Sequence, residues 1–189
     1  MRKLIQWSGM SMFSVMLVVS AISIQPASAD TAAEIDGSVD SALQKLYARS
    51  PAAKELSKVT KGILVFPEVT KAGLIVGGQY GVGALREGRK TFGYYKTVAA
   101  SYGLQAGAQK FGYALFFMTD SALENLKKSS GWEVGVGPSI VLVDEGVARS
   151  LTTTTAKDDI YAFIFDQKGL MAGIGLQGSK ISSITPDKE

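Results

Sequence analysis

The sequence predicts an α+β domain: a strongly curved antiparallel sheet or partly closed barrel, with two N-terminal helices and one later helix. Three observations carry this. Apolar residues recur at helical spacing near the start of the chain and again around residues 120–131, but alternate with period two from Ile63 onward. Glycine is abundant, with 21 residues, and within the alternating runs it collects on one strand face. Interior glycine weakens a strand, so a glycine face implies close backbone approach, sharp curvature or a bulge.

The first 29 residues read apart from the rest. Arg2 and Lys3 are followed by an apolar run from Met10 to Ile24, and Ala27-Ser28-Ala29 precedes Asp30. This is the pattern of a secretory signal peptide, so export to the periplasm or outside the cell is expected. The alternative is a membrane anchor; the run is short for a span of about 20 residues, and Ser14, Ser20 and Ser23 interrupt it. Residues 30–189 suit a single domain, with helices at about 31–61 and a β-rich core at about 62–185.

Thr31 and Glu34 fit a capping box, and Ile35, Val39, Leu43, Leu46 and Tyr47 form one apolar helical stripe. Ser50-Pro51 starts a second helix, with Gly62 closing it. Ile63-Leu64-Val65-Phe66 is expected as a short strand stopped by Pro67. In the next run Leu74, Val76, Tyr80 and Val82 occupy one face while Gly73, Gly77, Gly81 and Gly83 occupy the other. The division returns around Gly103 and Gly169. LREGRK is expected as a hairpin turn with Gly88 at the bend. DSALENLKKSSG reads as the later helix, starting near Asp120 or Ser121. VGVGPSIVLV, ARSLTTTT and DDIYAFIFD read as further strands, with Thr152 to Thr155 suited to an exposed edge.

Composition removes several chemistries. Cysteine and histidine are both absent, which excludes disulfides, thiolate chemistry, the Ser-His triad and the common zinc sites. No serine is followed three positions later by lysine. Asp158-Asp159 would point to opposite faces of a strand and reads as a turn, and the surroundings of Asp144, Glu145 and Gly146 lack EF-hand spacing. No catalytic residue, metal or cofactor is expected. GIGLQG (173–178) spells a dinucleotide fingerprint, but 11 residues follow it, too few for the required helix and strand. In GVGALREGRKT (81–91) the basic residues are displaced by one from phosphate-loop spacing, and TFGYYKT continues as a strand. Nucleotide binding is therefore not expected.

The net charge is +3, and Arg2 and Lys3 hold two of those charges, leaving +1 from Asp30 onward. That is no polycation for nucleic acid. Between Lys54 and Lys90, seven basic residues face three acidic ones, which reads either as a basic face or as a mixed solvated surface. The aromatics Phe92, Tyr94, Tyr95, Tyr102, Phe111, Tyr113, Phe116 and Phe117 lie among few cations and read as core, as does Trp132.

GILVFP (62–67), GLIVGGQYG (73–81), TVAASYGLQAGAQ (97–109), FFMTDSALENL (116–126), GWEVGVGPS (131–139) and YAFIFDQKGLMAGIGLQGSKI (161–181) together resemble the SYLF domain family. The resemblance runs over roughly residues 50–185. It implies a non-enzymatic domain that binds acidic phospholipids through an amphipathic N-terminal helix and basic residues. By position that helix is Thr31 to Arg49, with Leu43, Leu46 and Tyr47 on its apolar side and Lys45 and Arg49 among its cations. Lys54, Lys58, Lys61, Arg86, Arg89 and Lys90 would attract anionic headgroups. Two readings of the apolar stripe stand at this point: shallow insertion into lipid, or packing on the sheet. The family's actin binding does not suit an exported chain. The alternatives to a lipid-binding envelope protein are a structural or interaction domain with an envelope protein partner, and a carrier of a small apolar ligand.

Overall fold

A computed structural model of the chain describes residues 30–73, 76–102, 107–169, 176 and 178–187. The expected signal peptide, the repeats at 103–106 and 170–175, and all of GIGLQG except Leu176 and Gly178 lie outside the described residues.

Helix α1 (Ala32–Arg49) opens on the predicted capping box: Thr31 Oγ1 accepts from Glu34 N–H, and Thr31 N–H donates back to Glu34 Oε2 at 2.9 Å. The Thr31 N–H, and then the Thr31 hydroxyl, donate to Glu34 Oε2 and hold that carboxyl below its ordinary pKa. Helix α2 (Pro51–Leu56) begins on Ser50, whose hydroxyl accepts from Ala53 N–H, with Pro51 in the first turn where no donor is needed. It ends before Gly62, which instead starts strand β1 (Gly62–Gly73). Strands β2 (Val76–Glu87), β3 (Lys90–Tyr102) and β4 (Gly107–Phe117) follow, then helix α3 (Asp120–Lys128), capped by the Thr119 hydroxyl. Short strands β5 (Trp132–Glu133) and β6 (Ile140–Val143), helix α4 (Glu145–Ser150), and strands β7 (Ile160–Gly169) and β8 (Lys180–Ile184) complete the chain.

All eight strands form one sheet in the order β5-β8-β3-β2-β1-β4-β7-β6. Every neighbouring pair is antiparallel except β6 with β7, which is parallel, so the sheet is mixed at one edge. Its curl follows from distance. β5 and β4 stand five places apart, about 24 Å in a flat sheet at roughly 4.8 Å per strand. Yet the rings of Trp132 on β5 and Phe117 on β4 lie 6.1 Å apart. The two ends of the sheet therefore curl towards each other around a shared core, as a half-barrel.

That concave side holds one core, built from Leu64, Phe66, Phe111, Tyr113 and Leu115 and closed by Leu123 and Leu126 of α3. The convex side holds a second, where Ile35, Val39, Ala42 and Leu46 of α1 pack against Val65, Ala84, Phe116 and Phe163. The apolar stripe of α1 is thus committed to the sheet. Each large side chain so buried contributes about 1.5–3 kcal/mol.

Several expectations are corrected. Pro67 does not end β1. The strand continues through it by a bulge, with register shifting between Val65 and Glu68 against β2 and between Phe66 and Val69 against β4. A bulge is where a central strand tolerates a residue with no N–H. ARSLTTTT is not a strand: Asp144 caps α4 by accepting from Val147 N–H, and Thr152 to Thr155 form a turn closed by Thr155 Oγ1 on the Ser150 carbonyl. Of VGVGPSIVLV only Ile140 to Val143 is extended. The bulky face of β2 looks outward, with Val76 and Tyr80 exposed, while its glycine face looks into the concave side. There a Cβ on Gly83 would lie 2.9 Å from the Phe66 ring, and one on Gly81 would lie 2.7 Å from Val69 Cγ2. The glycines make room for the neighbouring strand and its rings.

Candidate lipid-facing surface

The cations and apolar residues expected at a lipid surface take different places. Lys45 and Arg49 both reach Asp166, Lys45 Nζ at 3.9 Å and Arg49 through a hydrogen bond to Oδ1. Asp166 sits in the β7 bulge with φ +51. Lys58 pairs with Glu55 at 2.7 Å and Lys61 with Asp120 at 3.2 Å. Lys54, Arg89 and Lys90 are exposed and have no ion-pair partner among the described residues. Lys54 belongs to α2, whereas Arg89 and Lys90 belong to the β2–β3 hairpin, whose bend is Gly88 with φ +61.

Arg86 and Leu46 are drawn into the fold. Arg86 is 8 % exposed; its Nη2 donates to Asp40 Oδ1 at 2.7 Å and to the Asp36 carbonyl at 3.1 Å, and its Nη1 donates to Thr91 Oγ1. Asp36 accepts in turn from Thr91 and Tyr94. This network fastens α1 to β2 and β3. Burial, and then the bond to Asp36, push the Tyr94 phenol upward. Leu46 is 4 % exposed, and Leu43 and Tyr47 lie half-buried against the same convex core.

The register exposes a different surface. α1 covers the part of the convex face near Val82, Ala84 and Arg86, and near Thr70 and Tyr80 it leaves a cleft of about 240 Å³ bordered by Asp30, Ile35 and Ser38. Beyond that cleft no helix among the described residues covers the face. Lys168 pairs with Lys110, Lys110 with Thr70, Thr70 with Tyr80, Tyr80 with Val98 and Val98 with Lys180. One transverse row therefore crosses six strands on one face, with apolar residues near its middle and lysines towards both ends. Tyr80 is 54 % exposed and Val98 39 %. The next row, Ala108, Ala72, Gly78 and Ala100, is exposed and made only of small residues, with Val76 beyond it at 59 % exposure. Lys110 shares its charge with Glu68 at 2.5 Å, whereas Lys168 and Lys180 have no ion-pair partner among the described residues. Because the face is convex, its middle protrudes and the end lysines slope back.

Sequence reasoning did not single out Lys110, Lys168 and Lys180. They are scattered through the chain, and strand register alone aligns them. The usable signal was the alternation that put Val76 and Tyr80 on one face and glycine on the other.

Among the described residues no group of three His, Cys, Asp or Glu could hold a metal ion. The adjacent aspartates serve the framework. Asp159 accepts from Thr119 Oγ1 at 2.9 Å and from Ser139 N–H at 3.2 Å, and these bonds hold its carboxyl below the ordinary range. Asp158 accepts from the Tyr161 hydroxyl. No described helix is long and apolar enough to cross a membrane.

The half-barrel thus presents exposed Tyr80 and Val98 on its convex face, with lysines towards both ends of their row. Residues 98–187 match the family model described as "Ysc84: Las17-binding protein actin regulator". That segment is thus similar to the Ysc84 family, the SYLF family of the resemblance. The match spans the second half of β3 through β8, a narrower stretch than the resemblance covers, and includes Val98, Lys110, Lys168 and Lys180. No curated protein matches the chain.

Proposed function

We propose that the protein is a non-enzymatic, exported envelope protein that docks on anionic phospholipid surfaces through the bare convex end of its sheet. The observation that supports this reading is the six-strand row, in which Lys110, Lys168 and Lys180 flank exposed Tyr80 and Val98. Tyrosine presents an apolar ring with a polar tip, the chemistry of a membrane interface. Each lysine near an anionic surface contributes about 1 kcal/mol, and the attraction falls with salt. Lys54, Arg89 and Lys90 add long-range attraction from elsewhere on the domain.

The test is co-sedimentation with vesicles of phosphatidylcholine alone or mixed with phosphatidylglycerol, at low and high salt. Binding only to the anionic vesicles at low salt is expected. Replacing Lys168 and Lys180 by Gln should remove about 2 kcal/mol, roughly a 30-fold weaker partition. Equal sedimentation with both vesicle types, or an unchanged Lys168→Gln/Lys180→Gln variant, overturns the proposal. The family description, which names a protein partner, favours a second reading in which the same face recruits an envelope protein. Pull-down from envelope extract without vesicle binding would select it.

A further inference from the structure

The two edges of the sheet end differently. At one edge β5 is two residues long and its Glu133 is exposed, which offers little backbone to another strand. At the other edge β6 carries Ile140, Val141, Leu142 and Val143, with no charge and no proline among them. Lysine, proline and bulges are the usual means of blunting an edge, and β6 uses none of them.

The phase of the β6–β7 ladder fixes which backbone groups of that edge are free. Ile160 N–H donates to the Ser139 carbonyl at 3.0 Å, and Ile140 is level with Ile160 in a parallel pairing. In a parallel ladder the residue that donates in this way also accepts from the residue two further along the partner strand. The Ile160 carbonyl therefore takes Val141 N–H, and Ala162 serves Val141 and Val143 in the same manner. The N–H and C=O of Ile140 and Leu142 point away from β7, and no other described residue bonds them. By alternation their side chains share the concave face, with Ile140 against the core and Leu142 49 % exposed, while Val141 and Val143 pack on the convex side.

We propose that β6 pairs antiparallel with β6 of a second copy of the chain, about a two-fold axis at Val141. Ile140 and Leu142 are then opposite Leu142 and Ile140 of the second copy, and every outward N–H meets an outward C=O. Neighbouring registers do worse. An axis at Ile140 sets Leu142 opposite Pro138, which has no N–H. An axis at Leu142 sets Ile140 opposite Asp144, whose carbonyl already accepts from Ala148 N–H at 2.8 Å. The edge also suits itself in charge: the residues brought face to face are neutral, with Ser139 opposite Val143, and each Asp144 lies beyond the ladder opposite Pro138. An axis normal to the sheet keeps both convex faces on the same side. Self-pairing uses none of Lys110, Lys168 and Lys180, so it stands or falls separately from vesicle docking.

The chain has no cysteine, so single introduced thiols report the register. At the axis the paired Cα atoms of Val141 lie about 4.5 Å apart, within disulfide reach, whereas those of Leu142, offset by two residues, lie about 8 Å apart and out of reach. Mild oxidation of the folded protein should link Val141→Cys into a covalent dimer at least tenfold faster than Leu142→Cys. Sedimentation equilibrium of the unaltered protein over about 10 µM to 1 mM, where so small a contact associates, should show the mass rising from one chain towards two. Leu142→Pro removes an outward N–H without touching the β7 ladder, and should weaken association at least tenfold while keeping the parent's circular dichroism. If that variant misfolds, the two cysteine variants, which keep the backbone, still decide. A protein monomeric throughout, equal cross-linking of the two thiols, or a dimer that persists in folded Leu142→Pro overturns the proposal; the first result leaves the edge to a foreign strand.

Discussion

Replacing Gly83 by alanine puts the reading of the glycine face to a direct test. Gly83 lies on the central strand β2, and an added Cβ would overlap the Val65 carbonyl oxygen and lie 2.8 Å from its carbon and 2.9 Å from the Phe66 ring. Ordinary contact begins near 3.4 Å, so the backbone of β1 or the buried Phe66 ring has to move by several tenths of an ångström or more. Neither yields readily: Phe66 and Val65 are wholly buried, and β1 is held on both sides by β2 and β4. Overpacking of this kind costs about 1–3 kcal/mol, and an obstacle made of central backbone places it at the upper end, near 3 kcal/mol. For a domain of this size that lowers Tm by about 10 °C. Gly78 is the control. It lies on the convex face of the same strand, and its Cβ would meet nothing closer than the Ala99 carbonyl oxygen at 4.0 Å. Gly78→Ala should be neutral or stabilise by about 0.5 kcal/mol, since alanine loses less backbone freedom on folding. Urea and thermal unfolding of the two variants measure both. Gly83→Ala within about 0.5 kcal/mol of the parent, or Gly78→Ala costing as much as Gly83→Ala, refutes the close-approach argument.

Leu46→Ala should cost about 2–5 kcal/mol in urea unfolding, because its side chain fills the convex core and leaves a cavity; vesicle partition per folded molecule should not change. Arg86→Met removes the cation that joins Asp36 and Asp40 to β2, and a loss of about 2 kcal/mol is expected, discounted because Asp36 is one-third exposed. Hydrogen exchange in α1 should rise in that variant. Asp159 has a depressed folded pKa, so its stabilising effect is present above the ordinary carboxylate pKa near 3.8 and is lost as pH falls through the folded value. Asp159→Asn should flatten that acid limb of the stability curve, which unfolding at stepped pH measures.

What the sequence made legible was local chemistry. The Thr31–Glu34 box, the Ser50-Pro51 start and the Gly88 bend each involve residues a few positions apart, and all three are present as read. The Thr-rich segment misled because threonine's strand preference is a packing preference. Here the hydroxyls of Thr152 and Thr155 have backbone groups within reach and bond those instead. Asp144, three residues before Val147, was an available N-cap signal for α4. The candidate surface was not legible, because Lys110, Lys168 and Lys180 acquire a common row only through strand pairing.

The bulge at Pro67 also indexes the sheet. Strands β1, β2 and β4 are each 11 or 12 residues long, and their far ends are rich in glycine and alanine. A two-residue slip there would keep every side chain on its own face and sacrifice little packing, so face alternation alone does not choose among such registers. Pro67 does. It has no N–H to offer a ladder, and both neighbouring strands change step beside it. Any slip would carry a partner residue opposite a proline with nothing to bond. A residue that would ordinarily end a strand thus acts as a fixed mark from which two long pairings are counted, and the alignment of Lys110 with Thr70 and Tyr80 depends on that count.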